Sequence, residues 1–105
     1  MSDGKIEKVT EIKEEFEQIY MFSEPWSEYV NMCGITDRVI AETDWRDGVP
    51  GRENTRQALL AAGENPDELC IRVGLRKPLP EELSLPEIFK GIRVYVILIG
   101  EITLF

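Results

Sequence analysis

Arg52 and Arg56 are the first residues of this chain suited to binding chemistry, because they lie beside the predicted start of a helix. The sequence Asn54-Thr55-Arg56-Gln57 resembles a helix-capping box, and the apolar residues after it predict a helix over 54–62. Free backbone N–H groups at a helix N-terminus attract anions. The two arginines and the loop 44–52 therefore predict a site for an anion or another small ligand.

Arg72, Arg76 and Arg93 form a second candidate site, in this case on strands. Residues 69–76 and 92–99 both show the period of two that is typical of a β-strand. If these two strands pair, the three arginines share one sheet face and predict a basic patch. The alternative is that each arginine pairs with a nearby carboxylate on the surface.

Catalytic chemistry has little support in the sequence. The chain contains no histidine, which excludes Ser–His and Cys–His pairs, imidazole bases and nearly every common zinc or iron site. Cys33 and Cys70 form no CxxC pair and are expected to be reduced, buried thiols. The loop 44–48 lacks the spacing of a calcium loop, and 48–52 lacks the ending of a phosphate-binding loop. We therefore predict a non-enzyme without cofactor or metal.

The charge of the chain is acidic and unevenly distributed. Twenty Asp and Glu against twelve Lys and Arg give a net charge of −8. Such a balance disfavours binding to nucleic acid or to an anionic membrane, whereas attraction to a basic protein surface is allowed. The candidate acidic face is on the N-terminal helix and consists of Glu7, Glu11, Glu14 and Glu15. The alternative is that these glutamates only confer solubility.

The length and the hydropathy of the chain predict a single globular domain without a membrane-spanning helix. With 105 residues, 43% of them hydrophobic and 30% charged, the chain is expected to form one globular domain over 1–105. The longest apolar stretch, 94–99, is far shorter than a membrane helix, which needs about 20 residues. No apolar leader follows Met1, so a cytoplasmic location is the expectation.

Three helices are predicted from periodicity and capping signals. Apolar residues at steps of three and four predict an amphipathic helix over 5–20. Pro25 after a potential cap and Gly34 after the last periodic residue predict a short helix over 25–33. The third helix is that over 54–62, which Gly63 ends.

The strand signals predict the sheet. Residues 36–43 are a weak strand candidate, and 69–76 predict a strand with one buried face. Residues 92–99 become apolar on both faces, which predicts a central strand covered on both sides. Gly100 predicts a bend, after which Ile102 and Leu104 resume the apolar face.

The expected architecture is α+β, with a mostly antiparallel sheet of three or four strands. The N-terminal helix and the 54–62 helix are expected to pack on one face of that sheet. The link 77–91, rich in proline, is expected to contain a helical turn at 80–83 and an extended segment at 85–88.

The last third of the chain resembles a small α+β module found in bacteria ahead of trypsin-like peptidase domains. The residues that carry the resemblance are Cys70-Ile71-Arg72-Val73-Gly74-Leu75, Leu85-Pro86-Glu87-Ile88, Gly91-Ile92-Arg93-Val94-Tyr95-Val96 and Gly100-Glu101-Ile102. It covers residues 69–103. No peptidase domain follows them in this sequence, so the resemblance implies an accessory or interaction role and supplies no catalytic residue.

Three functions are compatible with these residues. The first is a non-enzymatic protein-interaction module that uses the exposed sheet face or the acidic helix. The second is an acidic inhibitor, a nucleic-acid-mimicking decoy of a basic protein surface. The third is a small anion- or ligand-binding protein. The expected partner is a protein, and binding to nucleic acid or to a membrane is not expected. The edge of the last strand would also permit a homodimer.

Overall fold

Three α-helices and four strands make up residues 2–99, the part of the chain that the structure, a computed structural model, describes. The helices are α1 (Ser2–Tyr20), α2 (Arg38–Glu42) and α3 (Gly48–Ala61), and the strands are β1 (Val30–Asp37), β2 (Leu69–Leu75), β3 (Ile88–Phe89) and β4 (Ile92–Leu98). Two 3-10 turns, Trp26–Glu28 and Trp45–Asp47, complete the order of elements. The predicted bend at Gly100 and the strand residues Ile102 and Leu104 lie outside the described residues.

The strands form one sheet in the order β1-β2-β4-β3. β2 pairs antiparallel with β1 and parallel with β4, and β3 pairs antiparallel with β4. The α+β class is therefore confirmed, but the sheet is mixed rather than mostly antiparallel. The physical reason is the link 77–91, which is long enough to return the chain to the starting end of β2, so that β4 runs in the same direction.

The predicted N-terminal helix is confirmed, and its apolar stripe builds the core. Phe16 is fully buried and packs with Ile71 and Val73, which are equally inaccessible. Aromatic contacts extend this cluster, with the Phe16 ring centroid 4.7 Å from that of Tyr20 and 5.3 Å from that of Phe89. Burial of the stripe on β2 stabilises α1, because an isolated helix of this length is marginal in water.

β2 is buried on both faces, whereas the sequence predicted one buried face. Cys70 is fully inaccessible and Gly74 is buried, although both point away from α1. A side chain at position 74 would have no room, because a Cβ atom there would lie 2.8 Å from Ile99 Cδ1 and 3.1 Å from Met32 Cβ. α2 packs against β1 and β2 and covers part of this second face.

The predicted helix over 25–33 is wrong. Only the 3-10 turn Trp26–Glu28 forms, and the chain is extended from Val30 onward. Gly34 does not end a helix but lies inside β1 opposite Arg72. Pairing with β2 outweighs the local capping signals, because helix propensity is a weak preference that tertiary contacts override.

The weak strand predicted over 36–43 is also wrong beyond Asp37. The carboxylate of Asp37 accepts a hydrogen bond of 2.8 Å from the backbone N–H of Ile40, which caps α2. The strand β1 therefore ends with Thr36 and Asp37, and the short helix α2 follows from Arg38 to Glu42. The alternation of apolar residues in the sequence did not reveal this boundary.

α3 begins at Gly48, six residues before the predicted start at Asn54. Pro50 fits this first turn, because the backbone N–H that proline lacks has no partner there. The helix ends near the predicted position, with Gly63 at a φ of +77°, a conformation that favours glycine. α3 packs mainly against α2 and the turn Trp45–Asp47, so it does not share the sheet face of α1 as predicted.

The link 77–91 contains a turn at the predicted position. Leu83 N donates to Pro80 O at 3.0 Å, which closes the turn predicted at 80–83. The extended segment that follows leads into β3. Within residues 2–99 no helix combines the length and the apolar character that crossing a bilayer requires.

Candidate functional site

The outer side of β4 is paired along only part of its length. β3 contributes two residue pairs, Ile88 with Arg93 and Phe89 with Ile92, and Val94 N donates to Glu87 O at 2.9 Å. Beyond that bond, no strand among the described residues pairs with this side of β4. We call the stretch from Tyr95 to Leu98 the open edge.

Apolar side chains lie along the open edge and are accessible to solvent. Val96 is 43% and Leu98 59% exposed, and Ile99 just after the strand is 40% exposed. Ile99 N donates inward to Leu75 O at 2.9 Å, whereas Val94 N donates outward. Since backbone groups alternate in direction along a strand, the polar groups of Val96 and Leu98 face outward. The strand has a neighbour on each side, as predicted for a central strand, but the prediction that it is covered on both faces is wrong for its outer half.

A groove of about 380 Å³ lies beside the open edge, on the sheet face away from α1. One wall is formed by the end of α2 and the residues after it, 40–44 and Arg46, and the other by residues 97–99 at the end of β4. Arg72 projects from β2 between them. We call this cavity the Arg72 groove.

The acidic residues of the Arg72 groove are already bound. The carboxylate of Asp44 accepts hydrogen bonds from the Arg46 guanidinium at 3.0 and 3.1 Å. Glu42 Oε2 accepts from Arg38 Nε at 2.9 Å and from Tyr95 Oη at 2.6 Å. Both carboxylates of the groove thus have cationic partners of their own.

A buried arginine connects α2 to the sheet. Arg38 is only 6% exposed, and besides its bond to Glu42 its Nη1 lies 3.5 Å from Glu64 Oε2 and 3.8 Å from Glu68 Oε1. Glu68 Oε2 in turn accepts a bond of 3.1 Å from Arg93 Nε. This set of charges joins α2, the loop 62–68 that leads into β2, and β4.

The pKa values of this network indicate a structural role. Burial and the hydrogen bond to Glu42 raise the pKa of Tyr95 to about 12. Hydrogen bonds from Tyr95 and Arg38 hold the pKa of Glu42 below its usual value, and the bond to Glu42 raises the pKa of Arg38. These groups keep their protonation states near neutral pH, so none is tuned as a general acid or base.

Both cysteines are free thiols, Cys70 buried and Cys33 half-buried. Burial is the main cause that raises the pKa of each thiol to about 11. Since the thiolate is the nucleophile and the metal ligand, neither cysteine is activated. Across the described part of the chain, no group of three or more metal-ligating side chains comes together.

The structure places Arg52 and Arg56 inside α3 rather than at its start. They line a cavity of about 230 Å³ together with two acidic residues, Asp37 and Glu53. Arg56 Nη1 also lies 3.3 Å from Asp67 Oδ1. The free N–H groups of the helix start are near Gly48, so they do not add to these two arginines as the sequence predicted.

The three strand arginines do not meet in one patch. Arg72 lies opposite Tyr95 in the parallel ladder, and Arg93 is bound to Glu68. Arg76 follows the end of β2 and is exposed. Of the three, Arg72 alone lines the groove.

The candidate acidic face remains a prediction. Glu7, Glu11, Glu14 and Glu15 are all exposed on α1, and Glu15 forms an ion pair with Lys90. The network around Arg38, Glu42 and Tyr95 was missed from the sequence. Asp37 followed by Arg38 and Glu42 four residues apart was the available signal, since it resembles a capped helix with an ion pair.

Comparisons with protein-family models, with curated proteins and with solved structures yield no match to this chain. The resemblance of residues 69–103 to the peptidase-associated module therefore stays a prediction, as does the accessory role that it implies.

Proposed function

We propose that this chain is a non-enzymatic protein-interaction module that binds an extended segment of a partner protein along the open edge of β4. The observation that carries the proposal is the combination of an unpaired strand edge with apolar side chains on both faces of the same strand. Natural edge strands are usually protected by charges, prolines or a covering element. Residues 95–98 have none of these among the described residues.

Strand addition fits the geometry of this edge. The outward polar groups of Val96 and Leu98 can form backbone hydrogen bonds with an added strand, which gives affinity regardless of sequence. The exposed side chains of the same residues can contact alternate side chains of the segment, which gives selectivity.

The charge of the chain favours a basic partner over a second copy. Two chains of net charge −8 repel each other, whereas a segment rich in lysine or arginine is attracted. The exposed glutamates of α1 add to this long-range attraction. A neutral or basic segment with alternating apolar residues is therefore the partner chemistry that we assign.

A defined peptide tests the proposal. Fluorescence anisotropy would measure binding of a labelled peptide of alternating valine and lysine to the wild type and to Val96→Pro. Proline removes the outward N–H of position 96 while leaving the ladder with β2 intact. We expect Val96→Pro to weaken binding about tenfold or more, and the matched control Val96→Thr, which keeps the N–H, to bind like the wild type. Hydrogen exchange at the Val96 and Leu98 amides should slow when the peptide binds.

Three outcomes would contradict the proposal. Equal binding of a same-composition peptide with a central proline would mean that charge alone drives association, as in the acidic-decoy alternative. Equal binding to Val96→Pro would place the contact elsewhere. Concentration-dependent dimers in sedimentation, abolished by Val96→Pro, would assign the edge to a second copy of this chain.

A further inference from the structure

Arg72 differs from every other cation in the described part of the chain. The half-buried or buried cations Lys13, Arg38, Arg56 and Arg93 each have a carboxylate within 4 Å. Arg72 is half-buried, and no side chain among residues 2–99 forms an ion pair or hydrogen bond with its guanidinium. The other cations without a carboxylate, such as Arg52 and Arg76, are exposed to solvent.

An unpaired guanidinium in a partly apolar recess is costly. Removing a charge from water without a partner costs free energy, which is why partly buried charges are normally paired. Ile40, Ile97 and Ile99 line the same groove as Arg72, which is itself partly withdrawn from solvent. An anion bound to Arg72 would therefore lower the free energy of this partly buried charge.

The neighbouring carboxylates do not meet this demand. Glu42 is bound by Arg38 and Tyr95, and Asp44 by Arg46, so neither of the two described carboxylates that line the groove pairs with Arg72. A single negative charge completes the balance. A dianion such as phosphate would add a second charge next to two carboxylates, and its strong hydration does not suit isoleucine walls.

We propose that the Arg72 groove binds a small carboxylate with an apolar body. The guanidinium of Arg72 holds the carboxylate through two parallel hydrogen bonds, and the apolar body lies against Ile40, Ile97 and Ile99. The volume of about 380 Å³ falls in the range of about 300 to 1,000 Å³ that is common for ligand pockets. This site adjoins the open edge, with which it shares Ile97 and Leu98, but its charge requirement rests on Arg72 and does not depend on the proposed function.

Matched ligands test the charge requirement without any mutation. Isothermal titration calorimetry would measure binding of octanoate, octanamide and octylamine to the full chain. Octanamide keeps the apolar body and the shape of octanoate but lacks its charge. We expect octanoate to bind about tenfold or more tightly than octanamide, and octylamine not to bind.

Variants locate the site. Arg72→Gln should weaken octanoate binding about tenfold or more while leaving octanamide binding unchanged. Arg72→Lys keeps the charge but not the two parallel bonds, so intermediate binding is expected. Arg76→Gln is the control, since it removes the same charge from an exposed position outside the groove.

The source of the carboxylate is distinguished by a second pair of ligands. N-acetyl-leucine resembles the C-terminal residue of a peptide. N-acetyl-leucinamide, in which an uncharged amide replaces the carboxylate, is its control. Tighter binding of N-acetyl-leucine than of octanoate would assign the site to a peptide C-terminus, and the reverse order to a linear carboxylic acid.

Four outcomes would overturn the proposal. These are equal binding of octanoate and octanamide, octanoate binding that Arg72→Gln leaves unchanged, an equal loss in Arg76→Gln, and no binding of either carboxylate. Since Val96→Pro leaves the Arg72 side chain in place, this variant should bind octanoate like the wild type. The proposal for the Arg72 groove and the proposal for the open edge can therefore be disproved separately.

Discussion

β2 and β4 are neighbouring strands of similar composition, but they differ in how much of each strand is exposed to solvent. Val73 of β2 and Val96 of β4 lie directly opposite each other in the parallel ladder. Val73 is completely inaccessible, whereas Val96 is 43% exposed. Two identical side chains one strand apart thus have different surroundings.

The difference shows that position in the sheet, and not apolar pattern, decides burial. β2 has a strand on each side, α1 on one face and α2 over part of the other. β4 has β2 on one side and only the two residues of β3 on the other. A strand that is apolar on both faces and yet remains open at its edge is a binding surface or an aggregation hazard.

The strongest test of this comparison removes Arg38, which holds α2 over the second face of β2. Arg38→Met leaves the carboxylates of Glu42, Glu64 and Glu68 without their shared cation, so we expect a loss of about 3 kcal/mol of unfolding free energy. Urea denaturation would measure it. Arg52→Met is the control, an exposed arginine of α3 whose loss should change stability by less than about 0.5 kcal/mol. Equal stability of the two variants would mean that α2 does not need this anchor.

The next test compares the paired valines. Val73→Ala removes packing from a site with no solvent contact and should cost about 2 kcal/mol, through lost burial and a residual cavity. Val96→Ala, the same change one strand away, should cost less than about 0.5 kcal/mol. Urea denaturation of both variants checks the difference. A large loss at position 96 would show that the outer half of β4 is covered in solution.

A smaller effect is expected where β4 contacts α2. Tyr95→Phe removes the hydroxyl that donates to Glu42 while keeping the ring, so a loss of about 1 kcal/mol is expected. Thermal denaturation followed by circular dichroism would measure it. The double variant Tyr95→Phe with Glu42→Gln should lose less than the sum of the two single losses, because the residues share one interaction. Strict additivity would argue against the bond.

The pH dependence of stability is the finest test of this contact. The folded state lowers the pKa of Glu42 below 4.5, so its contribution is present above that pH and is lost as the pH falls through the folded value. The pKa of Tyr95 rises from 10.0 to about 12, so its contribution is present below pH 10 and is lost as the pH rises toward 12. Urea denaturation across pH should show both losses, and Tyr95→Phe should reduce both.

Local patterns were sufficient for the elements with strong periodicity. The 5–20 helix, the 69–76 and 92–99 strands and the helix end before Gly63 all followed from spacing and turn residues, within a few positions. The errors arose where two signals competed. Residues 25–33 carry plausible helix caps, yet pairing of Val30 and its successors with β2 determined their structure.

The candidate site was less predictable than the fold. Arg72 was identified from its strand face, but the absence of a carboxylate partner for it among the described residues depends on how α2 and β4 approach each other. Arg52 and Arg56 were assigned to a helix start because the Asn54 signal resembles a cap, although α3 begins at Gly48. The burial of Arg38 was not predictable, since besides Glu42 it involves Glu64 and Glu68, which are distant in sequence.

The sequence by itself determined the α+β class, the acidic charge, the absence of histidine chemistry and the two alternating strands. These follow from composition and from periods of 2 and 3.6 residues, which are local properties of the chain. Only the tertiary structure decided that β2 is the covered strand, that β4 runs parallel to it with an open edge, and that no carboxylate of residues 2–99 pairs with Arg72. These depend on which elements become neighbours, and that choice is made by packing between residues far apart in the chain.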